Sequence, residues 1–282
     1  MRFLASSIGS LFLCIFSSAA QAGAWLFPEG RGQAILTTTF ADARKAYDAN
    51  GRLIQTPPYR KFETRLYVEH GVREWLTFVG EGGFMNFHGA ANPTDHLSQL
   101  IAEAKAGLPL SVNGPDGPHY EGLGLGFAAA RLRLFSNDNS IVSFQAGLRA
   151  ASPAARRFLD MREATQVDAR LMIGRAFTFF GFKGFTDTQI GFRSAGQNGD
   201  EVRMDWTVGV RPIDRLLLMA QSYSAFAPRG GIATILAAQR FQFSGVYDVT
   251  PAVSFQLGGV TAIAGTNSPV ERGVISALWW HY

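Results

Sequence analysis

Glu201-Val-Arg-Met-Asp-Trp-Thr-Val-Gly-Val-Arg211 sorts its side chains by parity. Val202, Met204, Trp206, Val208 and Val210 fall on one face; Glu201, Arg203, Asp205, Thr207, Gly209 and Arg211 fall on the other. Only an extended strand sends successive side chains to opposite sides; a helix would scatter this pattern around its surface. The run is as long as one crossing of a bilayer by a tilted strand, about 9–11 residues.

The same rhythm returns along the chain. Phe62, Thr64, Leu66 and Val68 alternate with Lys61, Glu63, Arg65, Tyr67 and Glu69. Val142, Phe144, Ala146 and Leu148 oppose Ser143, Gln145, Gly147 and Arg149. Val167, Ala169 and Leu171 oppose Gln166, Asp168, Arg170 and Met172, and Thr188, Ile190 and Phe192 oppose Asp187, Gln189, Gly191 and Arg193. The period predicts about twelve strands, over 31–42, 60–70, 75–87, 120–135, 140–151, 164–177, 184–194, 200–211, 215–227, 232–247, 252–264 and 272–282. Two are poorly phased. Leu123, Leu125 and Phe127 oppose Gly122, Gly124 and Gly126, read as small residues on the inner face, but Arg131 and Arg133 then land on the apolar side. A bulge near Ala128–Ala130 would reset the phase. Leu217 and Met219 share a face with Gln221 and Tyr223.

Connections alternate in length. Gly71–Glu74, Ser136–Asn139, Pro212–Asp214 and Asp248–Pro251 are short; Ala43–Tyr59, His88–His119, Ser152–Glu163 and Gly265–Glu271 are mostly longer. Short turns at one end and long loops at the other mark an outer-membrane barrel. Composition agrees. The 282 residues are 17% charged and 12% aromatic, with 31 Gly. The mean hydropathy of +0.05 is too low for a bundle of membrane helices. The fold expected is therefore all-β: a closed transmembrane antiparallel barrel with short periplasmic turns and longer extracellular loops. A sheet in lipid must close on itself, because each of its edge amides would otherwise go unbonded.

Closure assigns the sides. A lipid-facing Arg near the midplane costs ~2–4 kcal/mol, so the charged face must look inward. The lumen residues expected are Lys61, Glu63, Arg65, Glu69, Arg149, Asp168, Arg170, Asp187, Arg193, Glu201, Arg203, Asp205 and Arg240, joined by Glu81 and Arg211. Their signs nearly balance. Such a set can form a ladder of cross-strand ion pairs that fills the interior, or a polar channel whose transverse field orients small solutes. Twelve strands lie between a filled barrel and a wide channel.

Residues 1–22 read as a secretory signal peptide: Arg2, an apolar stretch from Phe3 to Phe16, and the small-x-small site Ala20-Gln21-Ala22. Cleavage there leaves a single domain, 23–282, without its one cysteine, Cys14, and excludes disulfide scaffolds and thiol chemistry. At the other end, Gly273 to Tyr282 places Val274, Leu278, Trp280 and Tyr282 on one face and closes on an aromatic. It resembles the terminal-strand signal read by the bacterial barrel-assembly machinery. The partners expected are that machinery, outer-membrane lipid and an unidentified small solute. A charge excess of +4 spread over inward positions does not suit nucleic acid.

Candidate chemistry is sparse. In the 88–119 loop Asn92-Pro93 can cap a helix carrying Leu97, Leu100, Ile101 and Ala104 and ending at Gly107. His88, His96 and His119 share that loop but have no metal-ligand spacing. Asn86 and His88 sit near each other, without the Ser-containing segment of outer-membrane phospholipases. No catalytic, cofactor or metal site is expected.

Gly23-Ala-Trp-Leu-Phe-Pro-Glu-Gly-Arg-Gly-Gln-Ala-Ile-Leu-Thr-Thr-Thr39, with Tyr47-Asp-Ala-Asn-Gly51, resembles poorly characterised proteobacterial barrels, the XagA-like proteins, which are similar to the porin-like family named after the meta-pathway of phenol degradation. The resemblance implies an outer-membrane barrel with a transport role, for aromatic compounds in some relatives and linked to surface polysaccharide in others. The functions it leaves open are a pore or small-solute transporter, a non-conducting surface barrel, and a barrel lipase.

Overall fold

A computed structural model describes residues 23–90, 117–159, 161, 164–194, 200–229 and 234–282. The signal peptide expected over 1–22 and the helix expected over 92–107 lie outside them. Among the described residues the strands are β1 (Gly32–Tyr47), β2 (Leu53–Arg73), β3 (Leu76–Gly89), β4 (His119–Leu123), β5 (Leu125–Ser136), β6 (Ser140–Ala151), β7 (Thr165–Phe179), β8 (Phe182–Ser194), β9 (Asp200–Ile213), β10 (Leu216–Arg229), β11 (Thr234–Asp248), β12 (Val253–Thr266), β13 (Ser268–Pro269) and β14 (Arg272–His281). A short helix, α1 (Pro153–Phe158), lies between β6 and β7.

Each strand pairs antiparallel with its neighbours, and β1 pairs with both β2 and β14. The ring is therefore closed; β4 and β5 share one position and β13 is a two-residue appendage, so twelve strands complete the barrel. The seam runs from Gln33↔His281 to Asp42↔Arg272, and Gly32 and Tyr282 exchange two backbone hydrogen bonds of 3.0 Å. Both ends of the described chain lie at the end of tight turns. One of these is the two-residue Phe180-Gly181 hairpin, whose positive φ values (48° and 81°) match the right-handed strand twist.

The outer face is apolar. Leu36, Phe62, Ile190, Met204, Trp206 and Leu278 are exposed along its height, and Trp75, Phe135, Phe179, Phe180 and Trp280 ring the turn end. That aromatic girdle suits the headgroup region, which accepts a ring with a polar edge. No described helix is long and apolar enough to cross a membrane; the strands do the crossing.

Three sequence expectations need correction. The loop 43–59 is mostly strand: β1 reaches Tyr47 and β2 starts at Leu53, leaving only residues 48–52 between them. These extensions project past the bilayer, where both faces meet water and strict alternation is not required. Second, β5–β6 pairing is regular through Ala128–Ala130. The phase changes earlier, where the Gly124 N–H donates to the Gly83 carbonyl and five residues (Leu123 to Phe127) face four (Phe84 to Glu81). Leu125, Phe127, Arg131 and Arg133 consequently all face inward, while Leu123 faces out. Third, Gly122 and Gly126 do not share the inner face; Gly126 pairs with outward Ala150.

Candidate functional site

The interior is built in three levels. At the turn end, the residues before β1 do not run outside the barrel. They enter it. Ala24 is fully buried, and Leu26 and Phe27 are nearly so. This strap is tied to four walls. The Ala24 N–H donates to Asp187 Oδ2 at 2.7 Å, and Ser143 Oγ donates to the Ala24 carbonyl at 2.9 Å. Arg131 Nη1 donates to the Trp25 carbonyl at 3.0 Å, and the Phe27 N–H donates to Thr77 Oγ1 at 3.2 Å. The Trp25 ring meets Phe185 edge-on at 5.7 Å. It lies where a side chain on Gly174 would stand, 2.6 Å from the position of its Cβ, so glycine there makes the seat.

Around Trp25 the inner walls are apolar: Phe185, Leu217, Met219, Val246, Ala277 and Trp279, with Ile141 and Met172 nearby. The uneven phase of Leu217 and Met219 now has a cause. They face inward because the strap, not water, fills that level. Beside them Arg131, 1% exposed, meets Glu69 at 2.6 Å, Gln145 at 2.9 Å and Tyr67 at 3.2 Å.

The middle level is charged. Arg170 contacts Asp168 at 2.7 Å and Asp205 at 3.4 Å; Arg193 contacts Asp168 at 3.1 Å and Glu201 at 3.4 Å; Arg203 contacts Glu201 at 3.1 Å. Arg149 lies over the Phe127 ring at 4.7 Å and reaches Glu81 at 3.8 Å, which Arg65 also approaches at 3.7 Å while pairing with Glu63 at 3.3 Å. The acids therefore bridge guanidinium groups on neighbouring strands. On β10 and β11 the neutral pair Gln221 and Gln242 shares a hydrogen bond of 2.7 Å. Between the strap and this network lies a cavity of about 90 Å³ lined by Tyr67, Arg149, Arg170 and Gln189 among others.

At the loop end, Glu271 accepts hydrogen bonds from Tyr59 (2.7 Å) and Lys61 (3.0 Å) and pairs with Arg240 at 3.0 Å. Helix α1 stands at this end, against β4 and β6. Ser152 caps it by accepting from the Ala155 N–H at 3.1 Å. Its Phe158 packs on Tyr120 at 4.8 Å and Phe87 at 5.2 Å, and Tyr59 packs on Phe87 at 4.8 Å.

Of the residues singled out for the inner face, the structure brings Asp168, Arg170, Arg193, Glu201, Arg203 and Asp205 into one network, joins Arg65 (paired with Glu63) and Arg149 at Glu81, sets Lys61 and Arg240 on Glu271, and leaves Glu69 and Asp187 beside the strap. Sequence reasoning missed Arg131, the strap and α1. The Ser152-Pro153 cap was a readable signal for α1; nothing local announces the strap, whose partners are 50 to 163 residues away. The histidines behave differently: the His88 and His119 rings meet tilted at 56°, 4.3 Å apart, His96 lies outside the described residues, and Asn86 Nδ2 donates to Glu121 at 3.3 Å. Among the described residues no cluster could hold a metal ion.

Burial alone would push the Glu271 carboxyl up, but Lys61 and Arg240, with the Tyr59 and Lys61 hydrogen bonds, hold it below its usual range. A depressed carboxyl contributes stability that is full above its unfolded value and lost as pH falls through the folded one. Glu271→Gln should therefore cost ~1–2 kcal/mol at pH 6, discounted because Arg240 is partly exposed, and little at pH 3. Urea midpoints of the folded barrel at both pH values measure the difference.

No family model and no curated protein matches the chain. Among solved structures it is similar to an outer-membrane channel from Pseudomonas putida F1, with a TM-score of 0.63 and 11% identity over 93% of this chain and 99% of that one. It is also similar to the NanC porin, with a TM-score of 0.51 and 9% identity over 87% of this chain and 98% of that one. A third likeness is the transport unit of the Escherichia coli autotransporter AIDA-I, with a TM-score of 0.51 and 8% identity over 97% and 94%. At such identities the likeness is one of fold.

Proposed function

We propose that this chain is an outer-membrane channel for small solutes, closed at its periplasmic end by its own N-terminal strap. The observation that carries the reading is the way the barrel is shut. A single extended segment, held by four hydrogen bonds and one indole, blocks a lumen whose next level is lined by ionised side chains. The wall of Arg149, Arg170, Arg193 and Arg203, with the acids that bridge them, would set a field that orients polar solutes. The channel and porin among the similar structures support this reading, as does the resemblance of the opening residues to transport-linked barrels.

The ion-pair network favours one other reading, a non-conducting barrel filled for strength. Planar-bilayer recordings separate the two. Once the strap is removed, Arg203→Gln should raise the cation-to-anion permeability ratio about twofold, because one charge acting over ~8 Å of watery lumen is worth ~0.5 kcal/mol. A strapless barrel that passes no current would overturn the channel and leave the structural barrel. A lipase reading finds no support in Asn86 and His88, whose nearest partners are Glu121 and His119.

A further inference from the structure

Almost every deeply buried acid in the lumen has a cation: Glu69 has Arg131, Asp168 has Arg170 and Arg193, Asp205 has Arg170, and Glu271 has Lys61. Asp187 is the exception. It is 1% exposed, and among the described residues its oxygens accept only from the Ala24 N–H and Gln189 Nε2, each at 2.7 Å. Among the described residues no side chain forms an ion pair with it. An ionised carboxylate buried without a counter-charge is costly.

Gly23 is pressed against this carboxylate. A Cβ on it would lie 2.8 Å from Asp187 Oδ1 and 2.0 Å from Gln189 Nε2, and its φ is +45°, so glycine is required twice over. Its nitrogen is one bond from that Cα. As an amide it carries no charge. The three residues before it, Ala20-Gln21-Ala22, form the small-x-small pattern of a cleavage site.

We propose that Asp187 is the receptor for the processed N-terminus. Hydrolysis of the Ala22–Gly23 bond adds water, leaving the carboxylate on Ala22 and the amine on Gly23. That amine takes a proton and becomes the cation Asp187 lacks. Leader removal thus completes the latch that holds the strap, and a chain that keeps its leader, whose Gly23 nitrogen is still an amide, cannot form it. The latch needs a seated strap and a cleaved leader, whether or not the barrel conducts.

The test is N-terminal reactivity of the barrel purified from outer membranes. Intact mass should place Gly23 first. An amine-reactive ester near pH 7, followed by quantification of the modified N-terminal peptide, should label the wild type slowly. Asp187→Asn should label at least about tenfold faster, the ratio given by a loss of ~1.4 kcal/mol. Folding of each variant is checked by heat-modifiable gel mobility. If Asp187→Asn does not fold, a Gly-Ser insertion between Ala22 and Gly23, which moves the amine and keeps Asp187, gives the same readout. A mature chain starting elsewhere would overturn the proposal. So would a wild-type labelling rate in the variant examined, because a neutral Asp187 would be replaced by Asn without loss.

Discussion

Deleting Ala24–Phe27 should raise the time-averaged conductance of the barrel about a thousandfold. The strap's bonds to Asp187 and Arg131 are charge-assisted, worth ~1.5–3 kcal/mol each, and those to Ser143 and Thr77 are neutral, worth ~0.5–1.5 kcal/mol each. Together they hold the segment by ~4–9 kcal/mol before the burial of Trp25 is counted. At the lower bound the displaced state is populated about once in a thousand, since each 1.4 kcal/mol is a factor of ten. Deletion makes that state permanent. Trp25→Ala, which keeps all four bonds and removes only the indole from its seat on Gly174 and Phe185, should give an increase of about tenfold or more, for ~2 kcal/mol of lost burial. An unaltered, silent barrel after deletion would mean that the charged level above the strap is itself the seal.

The contrast between what the sequence made legible and what it hid follows from how each feature is encoded. The barrel was legible because lipid imposes its rule on every outward residue of every strand. Phe62, Leu66 and Trp206 obey it one by one, so a period of two survives without any knowledge of neighbours. The inner face obeys no single rule. Arg203 and Asp205 face a charged level and read as lumen, but Phe185, Leu217 and Met219 face an apolar one created by a distant segment. The strap comes from before the first strand, and its hydrogen bonds reach β3, β5, β6 and β8. No window of sequence contains both partners. Arg131 was hidden by the same cause. It shares its inward face with Leu125 and Phe127, a mixture that suggested a bulge, when the phase had already changed at Gly124.

Arg131→Met should destabilise the folded barrel by ~3–5 kcal/mol, the cost of stripping one partner from a buried ion pair. Arg131 and Glu69 have side chains 1% and 2% exposed and stand 2.6 Å apart. Methionine fills much of the same volume but leaves Glu69 charged, with only Gln33 Nε2 at 2.7 Å and the Tyr67 hydroxyl at 2.6 Å to replace the guanidinium. It also strips the donor from Gln145 and from the Trp25 carbonyl. The double variant Arg131→Met, Glu69→Gln removes both charges and should recover most of the loss, ending within ~1–2 kcal/mol of wild type; the remainder is the pair of carbonyl groups left without Arg131. A urea double-mutant cycle on barrels in lipid vesicles measures this coupling. A single variant as stable as wild type would mean that water reaches Glu69, which a strap seated across the lumen forbids. The stability of one arginine therefore reports on the same closure that conductance reads from the other side.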